Sequence, residues 1–302
     1  MRTVYLGTSE FAVAVLRRLA GSPHRPALVV TPPDRPKGRG RRLASPPAAA
    51  AAREMELEVL QTESVNRPEA VERISAAEPE LGVVCAFGQL IKDPLLSELE
   101  LLNVHPSLIP RWRGAAPIER AIMAGDRETG VTIMRVTEGL DSGPVALQAR
   151  TSIEPADDYG SLSVRLAELA ADALLHAIDL RGSDKLAYAE QDGSAATYAD
   201  KISPEERRLD PGRPAGELER AVRALNPHIG AFLELAGGER LGIRAAVAED
   251  GEHQSGSFAA DGALRLGCAQ GVLRIVVVQP PGKGPMEADA YLRGHPVPRL
   301  AG

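Results

Sequence analysis

Residues 103–117 read NVHPSLIPRWRGAAP. Asn103 and His105 lie two positions apart at the end of an apolar run, so on a β-strand both project from one face. Pro106 has no backbone N–H to extend a ladder and ends the strand directly after His105. Both side chains are then held at a rim. A neutral Asn amide offers an N–H donor to a carbonyl oxygen that gains negative charge. An imidazole can donate to the same oxygen or pass a proton. A carboxylate would tune such a His, and Asp141 is the best-placed candidate. It follows the stretch GVTIMRV in a GLDSG turn, whose glycines permit close approach. Singly, each residue has an ordinary structural use, since Asn and Asp commonly form or cap turns. Together on neighbouring strand ends they suggest acyl or formyl transfer at a polarised carbonyl.

No GxSxG elbow and no HExxH accompany them, and neither Cys85 nor Cys268 has an activating neighbour. No CxxC or His-rich spacing is present, so no metal is expected. The two cysteines lie far apart in apolar segments and read as buried thiols. Chemistry without an enzyme nucleophile fits an amine that the substrate itself brings.

The elements that must position these residues alternate between strand and helix. TVYLG at 3–7 is a strand, and Thr8, Ser9 and Glu10 supply capping chemistry ahead of the helical FAVAVLRRLA. Only Gly7 stands where a dinucleotide fingerprint needs three glycines, which excludes a nicotinamide dehydrogenase. PALVVT (26–31), LEVLQ, LGVVCAFGQL (81–90), LELLNVH (99–105) and GVTIMRV (130–136) are further strands, interleaved with helical segments. The pattern predicts an α/β fold, a Rossmann-like and mostly parallel sheet with helices on both faces. Ligands bind such sheets beyond the carboxyl ends of the strands. Asn103 and His105 occupy one such end, and Phe87 to Leu90 another.

A long amphipathic helix closes this first domain near residue 187. Residues 188–203 are polar and read as a linker. From 204 to 302, short apolar runs separated by Gly and acidic turns predict a smaller C-terminal β-barrel domain, OB-like in character. A chain of 302 residues suits two such domains, and 44% hydrophobic residues suffice for a core in each.

The net charge of −6 does not mark the whole chain as a nucleic-acid binder. One loop departs from it. Arg35, Lys37, Arg39, Arg41 and Arg42, with Arg53 a little later, face one acid, Asp34. Gly38, Gly40 and the prolines argue against a regular element there, so the segment reads as a cationic loop suited to an anion. No leader and no 18-residue apolar span is evident, which predicts a cytoplasmic protein without a membrane partner.

NVHPSLIPRWRGAAPIERAIMAGDRETGVTIMRV followed by GLDSG resembles the 10-formyltetrahydrofolate-dependent formyltransferases. YLGTSEFAVAVL is similar to their opening strand and helix, VVCAFGQLI to their folate-site strand, TYADKISPEERRLD to their linker and QPPGKGPM to a late strand and turn. RWRGAAPI, the basic loop TPPDRPKGRGRRL and the extra β domain narrow the likeness to the branch that formylates initiator methionyl-tRNA. The resemblance implies Asn103, His105 and Asp141 as catalytic residues. It implies 10-formyltetrahydrofolate as cosubstrate, held by Phe87, Gly88, Gln89, Leu90, Ser107, Leu108, Pro110, Glu138, Gly139, Leu140 and Ser142. Arg39 falls where the family loop inserts an arginine beside the tRNA acceptor end, with Arg35, Lys37, Arg41, Arg42 and Lys201 as further tRNA contacts. A monomer is expected. Asn103 and His105 would stabilise an oxyanion, and Asp141 would orient His105 or relay a proton through water.

Residues 206–302 carry 12 Lys and Arg against 12 Asp and Glu. That neutral balance departs from the basic channel the branch implies. Trp112 reads as a packing residue, while Arg111 and Arg113 suit either packing or RNA. Rival readings are a formyltransferase for a nucleotide sugar or a glycinamide ribonucleotide, a formyltetrahydrofolate hydrolase, and a non-catalytic RNA-binding module. The first pair would lack either the arginine-rich loop or the C-terminal domain, and the last would have no use for the triad.

Overall fold

Seven strands form the central sheet of the computed structural model, which describes residues 1–37 and 42–301. They are β1 (Thr3–Gly7), β2 (Pro26–Thr31), β3 (Val59–Gln61), β4 (Leu81–Cys85), β5 (Leu101–His105), β6 (Glu128–Arg135) and β7 (Val145–Ser152). Across the sheet they run β7-β6-β5-β4-β1-β2-β3. The strands from β5 to β3 are parallel, whereas β6 is antiparallel to both β5 and β7. The alternation of strand and helix predicted this mostly parallel sheet.

All five residues of β1 are buried, as a parallel strand covered on both faces requires. Val4 and Leu6 join a core layer with Ile74 of the helix Pro68–Ser75. Tyr5 points to the opposite face, where its hydroxyl donates to the carbonyl of Ala12 in the helix Glu10–Ala20. Ser9 caps that helix by accepting from the Ala12 N–H at 3.4 Å, a conventional N-cap role for serine.

Three local readings need correction. The strand expected over 81–90 stops at Cys85, because Ala86 adopts φ +46° and turns the chain; Phe87 to Leu90 lie in the loop beyond. The basic loop, expected to have no regular element, contains a short ribbon in which Arg35–Lys37 pairs antiparallel with Arg42–Ala44. Pro36 is tolerated because a two-stranded ribbon is all edge. Residues 188–199, taken for linker, instead run along the first unit. Ala189 bridges to Val145, and Tyr198–Ala199 pairs in parallel with Arg113–Gly114. Polar composition hid this because many of the contacts are hydrogen bonds, from backbone and polar side chains, rather than apolar packing.

The chain divides into two units, the first made of residues 1–117, 128–152 and 163–199. The second comprises 118–127, 153–162 and 200–302. Its strands are β8 (Ala231–Glu234), β9 (Arg240–Glu249), β10 (Phe258–Ala260), β11 (Leu264–Gly267), β12 (Val272–Gln279) and β13 (Met286–Glu287). They form an antiparallel sheet in the order β8-β9-β12-β11-β10, with β13 also on β12. Leu218, Val222 and Leu225 of the helix Ala215–Leu225 share a core with Leu233, Ile243, Leu266, Ile275 and Val278. Among the described residues, no helix is long and apolar enough to cross a membrane.

Candidate active site

Strand β5 sets Asn103 opposite Val84 of β4 and Met134 of β6, and His105 opposite Thr132. The turn after β6 then folds back over this end. Asp141 adopts φ +45°, a left-handed conformation that Asp tolerates better than most residues. Its carboxylate is held by two donors. Asn103 Nδ2 donates to Oδ1 at 3.1 Å, and the Gly114 N–H donates to Oδ2 at 2.8 Å. His105 Nδ1 lies 3.6 Å from the same Oδ2, too long for a hydrogen bond but within reach of direct electrostatic coupling.

The other ring nitrogen fixes the tautomer. His105 Nε2 lies 2.8 Å from the carbonyl oxygen of Trp112. A carbonyl only accepts, so Nε2 carries a hydrogen and donates. Trp112 sits at φ +64°, an uncommon conformation for a bulky residue that costs of order 1–3 kcal/mol. Arg111 stacks over its ring at 4.4 Å. Nδ1 is therefore the nitrogen that meets Asp141 and the cleft.

A cleft of about 540 Å³ opens beside these groups. Phe87, Gly88, Gln89, Leu90, Gly139, Leu140 and Ser142 line it, together with Asn103, His105 and Asp141. Leu90 and Leu140 are more than half exposed in its walls. The Gln89 side chain is turned to the chain itself, accepting from the Val65 N–H and donating to the Thr62 carbonyl.

Four predicted cosubstrate residues are not part of this lining. Ser107 is fully buried, and its hydroxyl donates to the Arg111 carbonyl at 2.7 Å. Leu108 packs over Gly130, and the Pro110 carbonyl accepts from the Thr197 N–H. These three brace the turn after β5 from behind. Glu138 is exposed outside the cleft. Among the proposed RNA contacts, Arg35 and Lys201 are exposed, in the first and second units respectively. Lys37 and Arg42 are described only in their backbone pairing. Arg39 and Arg41 lie outside the described residues.

Sequence reasoning missed several supporting residues. Arg113 is buried at 7% exposure, which favours the packing role over the RNA role for it. Its guanidinium donates twice to Gln191 Oε1, at 3.0 and 2.6 Å. Thr132 Oγ1 donates to the Ser107 carbonyl and accepts from the Ile109 N–H. Residues 129–134 of β6 are all buried, so the Thr132 hydroxyl must find partners there. Nothing near Gln191 in sequence signalled its role. Burial pushes the Cys85 thiol up to about 12, so it is no nucleophile at neutral pH. Cys268 is also buried and raised by burial.

The formyl transferase family model matches residues 1–178, and that for the formyl transferase C-terminal domain matches residues 201–296. The chain belongs to the formyl transferase family. This formyl transferase is 46% identical over 300 residues to the methionyl-tRNA formyltransferase of Methylococcus capsulatus, covering 98% of this chain and 97% of that one. It is 42% identical to that of Pseudomonas syringae pv. tomato, covering 95% and 92%. In fold, the formyl transferase resembles HypX from Aquifex aeolicus in complex with tetrahydrofolic acid. That match has TM-score 0.65 and 19% identity over 97% of this chain and 47% of HypX. It also resembles the sugar 3N-formyl transferase WlaRD, with TM-score 0.67 and 16% identity over 94% and 99%.

Proposed function

We propose that this formyl transferase moves a formyl group from 10-formyltetrahydrofolate to the α-amine of initiator methionyl-tRNA. The observation that carries the acceptor is kinship across both regions, since the relatives named methionyl-tRNA formyltransferase align over nearly the full chain. The donor is supported by the cleft. Its volume falls within the range of small-molecule sites, and its lining of Phe87, Leu90 and Leu140 beside the 139–143 backbone offers apolar walls with a polar edge. A flat heterocycle with a hydrogen-bonding rim fits that lining.

The substrate amine attacks the formyl carbon, and negative charge gathers on the formyl oxygen; collapse of this adduct breaks the bond to N10, as the attacking nitrogen gives up a proton and N10 takes one up. Asn103 Nδ2 has two hydrogens, and only one is engaged by Asp141. The other serves as an oxyanion donor. His105, anchored through Nε2, presents Nδ1 as the nitrogen that donates to the same oxygen when protonated. Asp141, held by Asn103 and Gly114, balances the positive charge the imidazole then carries. Preorganised donors of this kind need no rearrangement as charge develops, which is the source of their catalytic effect. In the same reading Arg39 reaches the acceptor end of the tRNA, while Arg35, Lys37, Arg41, Arg42 and Lys201 meet phosphates.

The test is an assay with 10-formyltetrahydrofolate and charged initiator tRNA, alongside elongator methionyl-tRNA and a reaction without RNA. Selective formylation of the initiator is expected. Folate-dependent release of formate without RNA, and no formylated product, would assign the chain to hydrolysis instead.

A further inference from the structure

Gln191 lies in the polar stretch that sequence reasoning left without a role, yet its amide uses all four of its bonding positions. Oε1 accepts from Arg113 Nε at 3.0 Å and Nη2 at 2.6 Å. Nε2 donates to the carbonyls of Asp141 at 3.0 Å and Gly143 at 2.6 Å. The orientation is unambiguous. Reversing the amide would set its NH₂ against guanidinium donors and its oxygen against two carbonyls.

What Gln191 ties together matters more than the bonds themselves. Arg113 directly precedes Gly114, whose N–H holds Asp141 Oδ2. Asp141 and Gly143 lie on the opposing turn. The amide therefore spans, from behind, the two segments that meet in the Gly114–Asp141 hydrogen bond. The turn is tightly seated as well: a Cβ added at Gly143 would fall 1.9 Å from the Arg135 carbonyl oxygen. It has little room to settle elsewhere nearby without losing register.

We propose that Gln191 is a positioning residue that acts through Asp141, keeping its carboxylate beside His105 Nδ1 and within reach of Asn103. This rests on the function proposed above, because it presumes that Asp141 works in formyl transfer. Misplacement by an ångström costs up to about a hundredfold in rate when reacting groups must be aligned. Phe87 and Leu90 hang on the loop after β4, away from the clamp, whereas Leu140 shares the clamped turn, so cosubstrate affinity should fall far less than turnover.

The test uses the full chain. Gln191→Glu keeps an oxygen for Arg113 but sets a second oxygen against the Asp141 and Gly143 carbonyls, and Gln191→Ala removes both contacts without adding charge. Each is measured alone and combined with Asp141→Asn, by steady-state kinetics and by hydrogen exchange at the Gly114 amide. Expected are a kcat about 10- to 100-fold lower, a KM for 10-formyltetrahydrofolate within about threefold of the parent's, and faster Gly114 exchange. The kcat loss should vanish in the Asp141→Asn background, since residues acting as one unit are not additive. A kcat within about twofold of the parent in whichever variant folds, or a loss that multiplies in full with that of Asp141→Asn, overturns the proposal. Normal turnover of Asp141→Asn itself would instead bring down the reading of the site, and this inference with it.

Discussion

His105 and Trp112 are joined by a 2.8 Å hydrogen bond from ring Nε2 to a backbone carbonyl, and this bond aims Nδ1 at Asp141. The ring is thus oriented by the main chain, leaving one nitrogen for chemistry. Replacing His105 by Ala removes that nitrogen, and replacing Asn103 by Ala removes the adjacent donor. Each change should lower kcat by roughly two to four orders of magnitude, the range for an acid–base group or an oxyanion donor. Single-turnover formylation with saturating cosubstrate measures the loss. A turnover close to normal in either variant would strike that residue from the mechanism.

Gly114 is a position at the site where backbone freedom is required. It adopts φ +117°, and an added Cβ would lie 2.9 Å from the Ala199 carbonyl oxygen. Gly114→Ala should therefore destabilise the chain by about 1–3 kcal/mol and lower the melting temperature. Its N–H would also be displaced from Asp141, so kcat should fall by more than the folded fraction explains. An unchanged melting temperature and rate would mean that the turn can relax around a methyl group.

Glu100 supplies a pH dependence of stability. Burial raises its pKa, but hydrogen bonds from Tyr188, Arg181 and Arg135 at 2.6, 2.7 and 3.1 Å outweigh burial and hold the carboxyl below its usual value. A folded value below the unfolded one means that the ionised form stabilises the fold. That contribution is complete above the ordinary Glu value of about 4.3 and is lost as pH falls through the lower folded value. Thermal melts from about pH 3 to 6 should show a steeper acid decline in the parent than in Glu100→Gln, which is the less stable of the two at neutral pH. Parallel curves would contradict this.

The proposed RNA contacts are few, and residues 206–302 are balanced in charge, with 12 basic and 12 acidic side chains. Affinity for charged tRNA should then fall with salt along a shallow slope reflecting only a few phosphates. Arg39→Ala should impair tRNA formylation far more than folate binding. Equal loss of both would remove Arg39 from the acceptor-end role.

Much of this arrangement is legible in the sequence. The continuous apolar runs of β1 and β4 announced a sheet buried on both faces, and Asn-x-His-Pro placed two polar groups at a strand end. What stayed hidden depended on contacts between residues distant in sequence or on backbone geometry. Gln191 meets Asp141 across 50 positions, and no local pattern encodes such a pairing. Ser107, Leu108 and Pro110 adjoin His105 in sequence, yet they do not line the cleft. The stop at Cys85 depends on one positive φ at Ala86, which residue type alone does not disclose. The ribbon around Pro36 escaped notice because proline and glycine were read as breakers, although both also suit hairpins.

Tyr198 and Ala199 are zipped in parallel onto Arg113 and Gly114, and this seam limits where the gene can be cut. A breakpoint at residue 187, where hydropathy suggests a joint, would keep Asn103, His105 and Asp141 but strip the polypeptide that backs them. Fusions, swaps or minimal fragments built on the formyl-transferring half must carry the chain through Ala199 to retain an intact catalytic wall.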